Sequence, residues 1–94
     1  MNNYSFNQKT PSEIDGLISA RIRNIRKRRK ISQKKLSEKS GVSLGSVKRF
    51  EQSGEISLIS LTKIAISLDL EQELEHLFED VPFLSIEEIV NERS

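Results

Sequence analysis

Residues 33–52 read QKKLSEKSGVSLGSVKRFEQ, and the glycine in the middle decides how the stretch folds. The spacing on either side of Gly41 is that of two short helices, with Leu36 the apolar residue of the first. At Gly41 the chain turns through a positive φ, which other residues accept only under strain. Val42 follows as an apolar plug, and Ser43 offers a hydroxyl to the amides that open the next helix. Val47 and Phe50, three apart, give that helix one narrow apolar stripe. Its start and outer face hold Ser43, Leu44, Gly45, Ser46, Lys48 and Arg49. Small residues first and two cations a turn later suit entry into a DNA groove. Small side chains allow close approach, and cations meet phosphates or guanine edges.

This is the spacing of a helix-turn-helix, with residues 43–52 as the recognition helix. From about residue 22 to residue 70 the chain resembles the Cro/cI (XRE) family of helix-turn-helix repressors. The resemblance is carried by Arg26, Ser32, Gln33, Leu36, Gly41, Val42, Ser43, Val47, Phe50, Glu51, Gly54, Leu61, Ile64, Ala65 and Leu68. It implies an all-α fold, a compact five-helix repressor-like domain, to which this chain adds a short C-terminal helix. It implies a double-stranded DNA operator as partner. It also implies that Arg26 braces Glu51 rather than touching DNA, and that Gln33 grips the DNA backbone and steadies the recognition helix. Two positions depart from the family pattern. Leu44 stands where glutamine is frequent, so no operator sequence carries over, and Ser37 replaces a frequent alanine.

The charge distribution agrees with a DNA face. The 94 residues carry a net charge of only +1. Residues 1–50, however, hold thirteen Lys/Arg against three acids, net +10, whereas residues 51–94 hold two against eleven, net −9. Such asymmetry points to one nucleic-acid face and an opposed acidic face. The length suits one domain with a small core. There is no cysteine, which excludes disulfides and thiolate metal sites. No apolar run is long enough for a membrane span and no signal-peptide pattern opens the sequence, so the expected compartment is the cytoplasm.

Taken in order, residues 1–12 read as a flexible N-terminal arm, 13–80 as the DNA-binding domain and 81–94 as a tail with a short helix. In the arm Tyr4 and Phe6 alternate as in a docking strand, but their polar surroundings favour fraying. Ser12 is the expected cap of a first helix over residues 13–29. Ile14, Leu17, Ile18, Ile22 and Ile25 form its apolar stripe. The opposite face is basic. Arg23, Lys27 and Arg28, with Lys34 and Lys35 of the next helix, are expected phosphate contacts, since nothing in their spacing fixes them against base edges. Gln33 starts that next helix beside free backbone amides, a place that favours phosphate.

Beyond the motif, Gly54 suits a left-handed helix stop. Ser57 caps a fourth helix whose apolar face should pack against helices one and three, with Ile56 and Leu61 as a hydrophobic staple. A fifth helix is expected over residues 71–79 and, after Pro82, a last one over residues 86–92 with a capping box from Ser85 to Glu88. His76, the lone histidine, is expected to be solvated. Leu74, Leu77, Phe78, Phe83, Leu84, Ile86, Ile89 and Val90 crowd a segment too short to bury them, and predict a symmetric dimer interface. The alternative is that Pro82 folds the last helix back over them.

The leading function is sequence-specific repression through a pseudo-palindromic operator bound by a homodimer. The tail LFEDVPFLSIEEI resembles the C-terminal ends of HipB-like antitoxins, which implies a HipA-like kinase toxin as a further partner. Restriction–modification controllers and phage-type repressors are alternatives without such a partner. A protein-interaction module that has lost DNA binding is the alternative of another class, supported by Leu44 and Gly45 at base-reading positions and opposed by the charge map. No nucleophile–base pair, phosphate loop or metal cluster is present to suggest an enzyme, and no cofactor is implied.

Overall fold

The computed structural model describes residues 8–93. Among these residues six helices follow in order: α1 (Pro11–Arg28), α2 (Gln33–Ser40), α3 (Leu44–Ser53), α4 (Leu58–Ser67), α5 (Glu71–Glu75) and α6 (Ile86–Arg93). The expected state of Tyr4 and Phe6 lies outside the described residues.

The start of α1 differs from the sequence reading. Its cap is Thr10, not Ser12, and helix begins at Pro11, inside the stretch read as an arm. Thr10 Oγ1 accepts from the Glu13 amide at 3.1 Å, and Glu13 Oε1 accepts from the Thr10 amide at 2.9 Å. This reciprocal box, with proline at the first helical position where no amide partner is needed, outcompetes Ser12. The backbone and side-chain hydrogen bonds from Thr10 also hold the Glu13 carboxyl below its ordinary pKa.

Serines 32, 43 and 57 cap α2, α3 and α4, each hydroxyl accepting from the amide three residues on. Gly41 (φ 76°) and Gly54 (φ 81°) stop α2 and α3 in the left-handed region. Gly54 has a second reason to be glycine. A Cβ there would lie 2.9 Å from the Asp15 carbonyl carbon of α1, so its absence lets α1 and α3 meet.

The core is Leu36, Val42, Val47, Phe50, Ile64 and Leu68, with Ile22, Ile31, Ile56, Leu61 and Leu70 packed around it. α1 lies on α3, α2 on α3 and α4, and α4 on α5. By backbone the fourth helix lies nearest α2 and α5, while its Ile64 shares the core with Val47 and Phe50 of α3 and with Ile22 of α1, as expected. Beside this core, between α1 and α4, lies an apolar groove of about 350 Å³, lined by Ile18, Ile22, Ile25, Leu61, Ala65, Leu74 and Leu77. Ile18, on that groove, remains 37% exposed, and Ile14 and Leu17 earlier on α1 are 47% and 39% exposed.

α5 is shorter than the sequence reading. It ends at Glu75, and residues 76–80 continue as turns with Phe78 at φ 65°. Phe78, Leu84 and Ile86 are 80% exposed or more, so α6 is not folded back over the tail's apolar residues. Ser85 caps α6 by accepting from the Glu88 amide at 3.2 Å.

Candidate nucleic-acid interface

The interface is built around one carboxylate, Glu51, whose side chain is only 2% exposed. Arg26 of α1 reaches it with Nε to Oε2 at 2.7 Å and Nη2 to Oε1 at 2.9 Å. The third Arg26 nitrogen, Nη1, donates to the Ile31 carbonyl at 2.7 Å and so fixes the turn between α1 and α2. Gln33 Nε2, at the start of α2, donates to Glu51 Oε1 at 2.9 Å. Arg23 Nε lies 3.9 Å from the same oxygen, with its side chain half exposed. Thus α1, α2 and α3 are locked together at the base of the recognition helix. Burial works to raise the Glu51 carboxyl. Hydrogen bonds from Arg26 and Gln33, with the charges of Arg26 and Arg23, outweigh it and hold the pKa below the ordinary value.

The bidentate Arg26–Glu51 geometry is that of a planar fork on a carboxylate, which lysine cannot reproduce. The Gln33 amide hydrogen bond to Glu51 adds a contact that its place in the sequence did not reveal. Its side chain is half-buried, held at the edge of the face that carries Arg23.

Around this hub five of the six residues expected to read bases are open. Ser43, Gly45, Ser46, Lys48 and Arg49 are exposed, and Leu44 is half-buried. Ser43 Oγ accepts from the Ser46 amide at 3.1 Å and donates to Ser46 Oγ at 2.8 Å. The two small side chains are therefore tied to each other at the helix start. The turn before it is closed by Ser37 Oγ donating to the Val42 carbonyl at 2.6 Å. Alanine at that position has no hydroxyl to make this bond.

Arg23, Lys27, Arg28, Lys34, Lys35 and Lys48 are all exposed. Among the described residues only Arg23 of these is in an ion pair. Arg49 is different. Its guanidinium pairs with Glu55 in the loop after α3, at 3.1 Å from Nη2 to Oε1. The sequence reading passed over Glu55.

The tail residues fall in two groups. Leu74 and Leu77 line the groove against α1 and α4, whereas Phe78, Phe83 and Ile86 face solvent and Ile89 is half-buried. His76 Nδ1 lies 3.0 Å from Glu79 Oε2 on the surface. Among the described residues there is no cluster of potential metal ligands, and no helix is long and apolar enough to cross a membrane.

Two short helices at a left-handed glycine, a braced second helix with an open small-residue face, and unpaired cations beside it define a helix-turn-helix DNA-binding domain. A helix-turn-helix family model matches residues 22–71, just over half of the chain. The chain belongs to this family, of the Cro/cI (XRE) type, whose domain is a DNA-binding domain of transcription regulators. No curated protein matches the sequence.

Proposed function

We propose that this regulator is a sequence-specific repressor that binds a pseudo-palindromic operator as a homodimer, and that it is the HipB-like antitoxin and autoregulator of a toxin–antitoxin operon. The observation that carries the DNA-binding part is the Glu51 hub. It ties Arg23 and Gln33 to the base of the helix that exposes Ser43, Gly45, Ser46, Lys48 and Arg49. In this reading Ser43, Leu44, Gly45, Ser46, Lys48 and Arg49 meet bases, with Leu44 limited to apolar contact such as a thymine methyl. Gln33, Arg23, Lys27, Arg28, Lys34 and Lys35 meet the backbone.

One recognition helix reads too few bases to find a site, and such modules pair over half-sites one helical turn apart. The tail supports the pairing surface. Leu74, Leu77, Phe78, Phe83, Ile86 and Ile89 crowd one stretch of sequence, and Phe78 and Ile86 are at least 80% exposed. The acids around them hold this face away from DNA. A HipA-like kinase is the partner that the tail's resemblance supports. A restriction–modification controller or phage-type repressor would keep operator and dimer without it.

The test is selection from a duplex pool with a randomised core of about 20 base pairs, long enough for two half-sites, using the full chain. Enrichment of an inverted repeat is the expected result. Affinity should fall with salt at a log–log slope of roughly −0.9 per phosphate neutralised. No enrichment, together with salt-independent binding, would refute the reading. Co-isolation of a kinase from the native source separates the antitoxin from the alternatives.

A further inference from the structure

The geometry points to Glu55 as a specificity-determining positioning residue, one that orients Arg49 end-on toward a guanine in the major groove. The inference rests on the base-reading role of α3 proposed above. Arg49 Nε and Nη2 face the Glu55 carboxylate, at 3.4 Å to Oε2 from Nε and at 3.1 and 3.3 Å to the two oxygens from Nη2. A guanidinium has five N–H donors in a rigid fork. Pairing along the Nε–Nη2 side leaves both Nη1 protons and the outward Nη2 proton free. Those are the donors that meet guanine O6 and N7 as a bidentate pair. The carboxylate and the base thus use different edges of one plane, and both fit at once.

Glu55 is itself held in place. Ser53 Oγ donates to the Arg49 carbonyl at 2.7 Å and accepts from the Glu55 amide at 3.2 Å. Gly54 turns the chain between them at φ 81°. The loop therefore brings Glu55 back beside Arg49, with Ser46 one turn earlier on the same open cleft of about 350 Å³. Lys48, the other long donor of this face, is in no ion pair among the described residues. A rotating ammonium gives a point charge rather than a directed fork. An exposed pair of this kind adds little to folding, its side chains being 69% and 62% exposed. What it restricts is the direction in which the guanidinium points.

The opposite reading is that Glu55 only sequesters Arg49 and repels phosphates. The two differ in sign. If Glu55 positions Arg49, removing it lowers base preference while non-specific affinity stays or rises. If Glu55 only competes, removing it raises affinity for every sequence and leaves preference intact.

The experiment uses the full chain and the duplex enriched by the wild type from the randomised pool. Anisotropy titrations compare that duplex with versions changed at each base pair in turn, for wild type, Arg49→Ala and Glu55→Ala, with thermal unfolding as control. The wild type should prefer guanine at one position per half-site by about 5- to 150-fold, the range of one bidentate contact. Arg49→Ala and Glu55→Ala should both reduce that preference to about two-fold or less, well below a bidentate contact, at the same position and with unchanged unfolding. Glu55→Gln, which keeps one acceptor oxygen, should retain an intermediate preference. Retention of the full preference in Glu55→Ala, or its loss at a different position from Arg49→Ala, overturns the role of Glu55 and leaves DNA reading by α3 intact. Failure of the wild type to enrich any duplex overturns both.

Discussion

Removing the Glu51 carboxylate should be among the most damaging single changes in the domain. In Glu51→Ala the Arg26 side chain, 9% exposed, loses both charge-assisted hydrogen bonds, 2.7 and 2.9 Å in length, and keeps only the one to Ile31. Breaking a buried pair from one side leaves an uncompensated charge and costs about 3–5 kcal/mol. A domain of this length has roughly 5–14 kcal/mol in total, so the variant should be marginal. Urea unfolding followed by far-ultraviolet circular dichroism at neutral pH measures the difference. Replacing both partners, Arg26→Met with Glu51→Leu, should recover most of the loss because no charge is then buried alone. A loss under about 1 kcal/mol in Glu51→Ala, the size of a surface pair, would refute the reasoning. The pH dependence carries a sign. Glu51 is held below its ordinary value near 4.5, so its contribution is complete above that pH and is lost as pH falls through the folded value. The stability gap between wild type and Glu51→Gln should therefore narrow in acid. Glu13, also lowered, is present in both proteins and cancels.

Three further outcomes follow from the fold. Gly54→Ala should destabilise more than Gly41→Ala in the same urea assay. Both need positive φ, worth about 1–2 kcal/mol, but only at Gly54 does the new Cβ meet Asp15, at 2.9 Å; equal losses would contradict this. Thr10→Ala should cost about 0.5–2 kcal/mol as a lost cap, and Ser12→Ala close to nothing, with the reverse order restoring Ser12 as the cap. In sedimentation at micromolar concentration the full chain should be a dimer and Phe78→Asp with Phe83→Asp a monomer; a monomeric wild type, or a dimeric double variant, would remove the tail from the interface.

The motif was legible because its signals are local. Gly41, Ser43 and Gly54 act within a turn of where they stand, and Val47 and Phe50 mark a face by spacing alone. The resemblance supplied the Arg26–Glu51 pair, which no local rule gives across 25 residues. Contacts made by chain reversal stayed hidden. Glu55 follows Arg49 by six residues, which are not neighbours on a helix, and meets it only because Gly54 turns the backbone. Competition between similar signals explains the misplaced first cap, since Thr10 and Ser12 differ by one proline. The stripe of α1 was read correctly as apolar, but spacing does not reveal how much cover the rest of the chain provides. Ile14 and Leu17 stay 47% and 39% exposed, and the groove beside α4 leaves Ile18 open as well. At α5, five residues suffice before the turns through Phe78, where acidic helix-forming composition had suggested nine.

DNA should be met by α3 and by the basic residues beside its base. Amide chemical-shift mapping by nuclear magnetic resonance tests it most directly, with the full chain titrated by the enriched duplex. Perturbations should concentrate at Gln33 and from Leu44 to Arg49, with weaker shifts near Arg23, Lys27 and Arg28. Shifts confined to residues 74–90, or absent over α3 at saturation, would contradict it.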